Sequence, residues 1–87
     1  MPYQLQIIRR AQKELSRLPA LEYERVRDAI RGLTQEPRPV GCKKLTGREG
    51  WRLRVGRYRV LYDIDDNALV ITIRHIGHRR DVYRTGD

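Results

Sequence analysis

Residues 51–62, WRLRVGRYRVLY, alternate so strictly that they leave the chain few ways to fold. Successive side chains of a strand point to opposite faces, so Trp51, Leu53 and Val55 share one face while Arg52 and Arg54 share the other. Gly56 interrupts the run where a tight hairpin can form, because glycine tolerates positive φ. In the second strand Tyr58, Val60 and Tyr62 lie opposite Arg57 and Arg59. If the two apolar rows share a core, the guanidinium groups become a patch on the sheet's other face. Clustered permanent cations repel one another unless an anion sits among them, and phosphate is the leading candidate.

The rest of the charge agrees with that placement. The 87 residues carry 19 Lys plus Arg against 11 Asp plus Glu, a net charge of +8. Residues 38–62 hold 8 of the basic side chains and a single acidic one, so the excess sits around the hairpin. Such a balance suits a nucleic-acid or acidic protein partner. The length fits a single domain, residues 1–87, with a modest core. One cysteine, Cys42, forms no internal disulfide, and no apolar run approaches a membrane span, so a cytoplasmic protein with no membrane association is expected.

Along the chain, Tyr3, Leu5 and Ile7 alternate with glutamines and predict a half-buried strand over about residues 2–8. From Arg9 the period lengthens. Ala11, Leu15 and Leu18 line one helix face, which Pro19 ends. Val26, Ala29, Ile30 and Leu33 line a second helix over residues 20–35. The arginines of both helices read as a solvated face. A basic, Pro- and Gly-rich loop spans residues 37–50, a turn spans 63–67, and a β-branched strand spans 68–76, ended by Gly77. The expected fold is α+β: a strand, a helical hairpin, then a three-stranded antiparallel meander, all in one sheet with the helices packed on one face.

Several chemistries have no support in the sequence. No pair of Cys or His stands at metal-ligand spacing, no glycine-rich phosphate loop leads from strand to helix, and no Ser or Cys stands beside His in a recognisable motif. No metal or other cofactor is expected. An arginine cluster, tyrosines, two histidines (His75 and His78) and Glu49 remain. These suit phosphoryl transfer on RNA, where the substrate brings its own 2′-OH nucleophile and the protein positions it and neutralises the phosphate. His75, in an apolar strand, reads as a hydrogen-bonded half-core residue, and Trp51, Tyr58 and Tyr62 read as core.

The run KKLTG–REGWRLRVGRYRVLY, the apolar strand after it, and GHRRDVYR resemble the RelE family within the RelE/ParE toxins of toxin–antitoxin pairs. The likeness is strongest over residues 44–84, and the strand–helix–helix opening agrees with the family's order. RYRVLY is shared with the gyrase-inhibiting ParE branch. The arginines ahead of it, and the tail with Arg79 and Tyr83, lean toward the RNA-cleaving branch. The resemblance implies a ribosome-dependent messenger-RNA endonuclease that cuts in the A site by 2′-OH attack on the adjacent phosphate, without metal. It implies a RelB-like antitoxin as partner, alongside ribosome and mRNA. The alternatives are a ParE-like gyrase inhibitor acting by binding, and a basic RNA-binding relative with little activity.

By the same resemblance, Arg52 and Arg54 occupy positions where family members carry lysines for acid–base work and phosphate binding. Arg59 and Arg79 match arginines that hold the scissile phosphate and the transition state. Tyr83 matches a tyrosine that orients the nucleotide. Arginine does not deprotonate in proteins, so neither Arg52 nor Arg54 is a general base, although each can grip phosphate bidentately. Proton transfer then falls to Tyr83, His78 or Glu49. Lys43, Lys44, Arg48, Arg57 and Arg80 are expected to contact RNA, as alternatives to plain solvated charge.

Overall fold

A computed structural model describes residues 2–78 of the chain. Its elements run in the order β1 (Gln4–Ile7), α1 (Arg9–Ser16), α2 (Ala20–Gly32), β2 (Cys42–Lys44), β3 (Trp51–Val55), β4 (Tyr58–Asp65) and β5 (Val70–His78). The strands form one sheet of five in the order β1-β5-β4-β3-β2. The expected α+β arrangement is present, with an additional short strand, β2, drawn from the basic loop and paired antiparallel to β3. β3, β4 and β5 form the meander, while β1 pairs parallel to β5 and so requires the helical hairpin as its crossover.

The helix face is built as the alternation requires. Leu53 and Val60 pair across β3 and β4, and Ile76 continues the same row on β5. With Tyr62, Ile71 and Ile73 they meet Ala11 and Leu15 of α1, Val26 and Ile30 of α2, and Leu33 just beyond it. Burying an aliphatic or aromatic side chain of this kind contributes about 1.5–3 kcal/mol, so this row outweighs any local preference for another register.

Several boundaries differ from expectation. α2 stops at Gly32, with Leu33 as its C-cap. β4 continues to Asp65, and the turn begins later because the Asp65 carboxylate accepts the Asn67 and Ala68 N–H groups at 3.0 and 2.9 Å. β5 does not end at Gly77, since Gly77 pairs with Arg59 and His78 with Tyr58. Arg57 lies in the turn instead of the strand, because Val55 pairs with Tyr58 and leaves Gly56 and Arg57 as a two-residue loop. Gly56 has φ +57 and Arg57 has no positive φ, the pattern of a II′ hairpin with glycine at its first position.

β5 also carries an irregularity that simple alternation misses. Leu61 pairs with His75, but Tyr62 pairs with Ile73, so Arg74 is an extra residue on the β5 side. This bulge lets Ile73 and Ile76, three positions apart, both face the helices. Arg74 and His75 are then both presented toward the other side.

The segment between α2 and β2 is tied down at one end of the sheet. Arg38 pairs with Asp66 at 2.9 Å, Tyr3 donates to the same carboxylate at 2.6 Å, and the buried Tyr62 hydroxyl donates to the Pro37 carbonyl at 2.8 Å. Burial is the main reason the Tyr62 phenol is pushed well above its ordinary range. The Arg38 guanidinium also lies 5.0 Å from the centre of the Trp51 ring. Hydrogen bonds from Arg38 and then Tyr3 hold the Asp66 carboxyl below its ordinary value. A depressed carboxylate keeps its contribution above the ordinary aspartate range and loses it as pH falls through the lowered value. Trp51 is the only tryptophan. Its fluorescence is therefore expected to change on acidification with a midpoint below about 3.9, and Arg38→Ala is expected to abolish that transition. A midpoint at or above the ordinary aspartate value would contradict this coupling.

Candidate functional site

The sheet's second face is where the cations gather. Lys43, Arg52, Leu61 and His75 form one cross-strand row, and Arg54, Arg59 and Gly77 form the next. Arg54 is exposed and Arg52 half-buried, whereas Arg59 is 5% exposed. The patch expected on this face therefore includes one arginine that is almost wholly buried. Arg59 sits on an interior strand, opposite Gly77. A buried guanidinium is held in a narrower range of positions than a surface one, which favours bidentate recognition of a planar or tetrahedral anion.

Other expected residues are spread over both faces. Lys44 pairs with Trp51 and lies on the helix side, its ammonium 5.5 Å from the indole centre, so it does not join the arginine patch. His78 pairs with Tyr58, and their rings meet edge to face at 5.7 Å; the register puts it on the Tyr58 face. Arg57 is exposed at the hairpin tip. Arg48 and Glu49 lie on the 45–50 loop, facing Asp63 and Arg74 across a cavity of about 330 Å³. Arg79, Arg80 and Tyr83 lie outside the described residues. Trp51 and Tyr58 are half-buried against the core and Tyr62 is fully buried.

Two features of this face were not anticipated. The first is Leu61, which occupies the arginine side of β4 and is buried beneath Leu45 from the 45–50 loop. That contact folds the loop back over the sheet. Gly50, at φ +116, makes the return possible, and a Cβ there would meet Asp63 Oδ1 and Leu45 Cδ1 at 3.1 Å each. The second is a carboxylate–imidazole pair. β1 covers the edge of β5 only as far as Ile73, and Glu14 of α1 takes over beyond it. Glu14 accepts the Ile76 N–H at 2.9 Å and approaches His75 Nδ1 at 2.8 Å, with Arg10 Nε behind it at 3.3 Å. An ionised carboxylate only accepts, so Nδ1 carries the proton and Nε2 points away from the helix. The sequence gives a signal for Leu61, an apolar residue in an arginine row. It also marks His75 as a hydrogen-bonded half-core residue, as found, but gives no signal for its partner Glu14, 61 positions away.

Among the described residues no group of His, Cys, Asp and Glu converges as a metal-binding set, and no helix is long and apolar enough to cross a membrane.

Known proteins sharpen this picture. The family model described as the ParE toxin of type II toxin–antitoxin systems matches residues 5–83. Toxin RelG of Mycobacterium tuberculosis is 35% identical over 97% of this chain and 99% of its own length. Putative toxin RelE1 of Methanocaldococcus jannaschii is 31% identical over 97% of this chain and 98% of its own. Among solved structures, the archaeal RelE–RelB complex from Pyrococcus horikoshii superposes with a TM-score of 0.81 at 32% identity, covering 91% of this chain and 97% of that one. The chain belongs to the RelE/ParE superfamily of type II toxin–antitoxin toxins, within its RelE family.

Glu14→Ala is expected to leave the Ile76 N–H and His75 Nδ1 without their acceptor, at a cost of about 1–3 kcal/mol. Urea unfolding should show the lower midpoint, and amide exchange should show loss of protection at Ile76. Unchanged stability together with unchanged protection at Ile76 would mean that Glu14 does not hold the end of β5.

Proposed function

We propose that this toxin cleaves messenger RNA in the A site of the ribosome, using the 2′-OH of one nucleotide against the adjacent phosphodiester. The observation that carries the reading is the clustering of Arg52, Arg54 and Arg59 on the sheet face away from the helices. In the reaction the 2′-oxygen bonds to phosphorus while the bond to the 5′-oxygen breaks, giving a 2′,3′-cyclic phosphate and a 5′-hydroxyl. The 2′-OH proton leaves to a base, and the 5′-oxygen gains a proton. Negative charge grows on the non-bridging oxygens in the transition state, and fixed guanidinium groups aimed there stabilise it without reorganising.

In this scheme Arg54 and Arg52 grip the phosphate from the hairpin's first strand, and Arg59 fixes it from the second. Arg79 adds transition-state charge and Tyr83 orients the nucleotide or accepts its proton. His78 and Glu49 are the remaining proton-transfer groups, and Glu49 is the one that shares a cavity with arginines of this face. Lys43, Arg48, Arg57, Lys44 and Arg80 add attraction to RNA, with Lys44 approaching from the opposite face. The ribosome supplies the alignment, so free RNA is cut little. A RelB-like antitoxin is the partner that silences the toxin, a reading supported by the RelE–RelB complex of the Pyrococcus relative. The protein acts in the cytoplasm as a single domain and needs no cofactor.

The name of the matching family keeps a second reading in view, in which the toxin inhibits DNA gyrase by binding. Expression of the toxin alone in a bacterial host, followed by primer extension on an abundant transcript, separates the two. Discrete cuts in translated frames are expected. Folded Arg79→Ala protein should lose them, because it lacks transition-state stabilisation worth roughly 3–4 kcal/mol. Arg54→Ala, at an exposed position, should weaken cleavage without unfolding the chain. Intact messages with damaged DNA would transfer the protein to the gyrase branch.

A further inference from the structure

A second cavity of about 270 Å³ lies on the same sheet face, toward α1, lined by Ile8, Arg10, Arg48, Leu61, Arg74 and His75. Among the described residues that line it, three of six are arginines and none is a carboxylate. Carboxylates stand behind the cations: Glu14 holds Arg10 through Nε, and Asp63 holds Arg74 through Nη1. Each guanidinium has five N–H donors, so these bonds orient the forks and leave further donors directed outward. The Arg10 and Arg74 side chains are 59% and 56% exposed. At the base is His75, 8% exposed, whose Nε2 has no hydrogen-bond partner among the described residues. The bulge places Arg74 and His75 side by side on this face.

We propose that this concavity is a second phosphate-binding site, taking a backbone phosphodiester of the same RNA strand whose reacting phosphate is held by Arg52, Arg54 and Arg59. The choice of RNA as the polymer rests on the cleavage reading above; the choice of phosphate rests on the cavity itself. Two strand spacings separate Arg52 from His75 in their shared row, about 10 Å, so a short run of nucleotides reaches both. Leu61 lies between them and offers an apolar surface for a sugar or base edge. An anion entering the cavity draws Arg10 and Arg74 inward and lies against the His75 ring that lines it. Glu14, on Nδ1, fixes the orientation of the ring that lines the cavity, with Nε2 buried. His75 is a binding residue here and Glu14 a positioning one. A bound phosphate away from the reacting centre fixes the register of the strand and carries no sequence information.

The test uses the whole chain and follows the His75 imidazole resonances by NMR. The first probe is inorganic phosphate, and the second is a short single-stranded RNA made uncleavable by 2′-deoxy nucleotides. Both are expected to move the His75 signals saturably. Arg74→Ala should weaken binding of the RNA roughly tenfold, as loss of one charge-assisted hydrogen bond predicts. Arg54→Ala should leave the phosphate response at His75 in place. Failure of either probe to shift His75, or unchanged affinity in Arg74→Ala, would overturn the site. Because Arg74 is exposed, its variant tests the proposal even if His75→Gln fails to fold. If the toxin cuts no RNA while the uncleavable RNA still binds with Arg74-dependent affinity, the site stands and the cleavage reading falls.

Discussion

Everything on the functional face depends on the burial of Leu53, Val60, Tyr62 and Ile76 beneath the two helices. A strand shifted by one residue would put those side chains in water and drive Arg52, Arg54 and Arg59 into the core. The penalty for either change is several kcal/mol, and both would occur together. The hydrophobic face therefore does the work of orienting the arginines, and no local interaction among the cations is needed to hold them on one side. Their mutual repulsion is accepted because the core fixes the backbone that carries them.

The edges of the sheet add walls to the open face. A bulge on β5 sends Arg74 and His75 to the open side while Ile73 and Ile76 stay in the core. Glu14 closes the exposed edge of the same strand where β1 runs out. On the opposite side of the meander, Leu45 settles on Leu61 and brings Arg48 and Glu49 over the sheet. Each device uses a small apolar or hydrogen-bonded anchor to place a charged group beside it, so the open face acquires walls without a second layer of helices.

Much of this was legible in the sequence because alternation is a local signal. The hairpin centred on Gly56, the helix-facing row of β3 and β4, and the apolar stripes of α1 and α2 all follow from the spacing of single residues. The resemblance of the RYRVLY and GHRRDVYR segments added the family. What stayed hidden needed contacts between distant segments. The three-residue strand β2 has no apolar pattern of its own and exists because β3 offers an open edge. Alternation marks the face that Arg59 occupies but not its burial on an interior strand. The partnership of Glu14 with His75 depends on where β1 stops. Lys44 and His78 stand close in sequence to the arginines, but the register turns both toward the helix side.

The most direct measurement is cleavage of a defined messenger RNA on purified ribosomes, compared with the same message carrying a single 2′-deoxy nucleotide at the position of attack. On the proposed mechanism the toxin only positions the substrate and neutralises its charge, so the nucleophile comes from the RNA. The unmodified message should be cut to a 2′,3′-cyclic phosphate and a 5′-hydroxyl, and the deoxy message should survive intact at that site. Equal cleavage of both, or no cleavage of either alongside inhibition of gyrase, would contradict a phosphate-gripping arginine face that works through the 2′-OH.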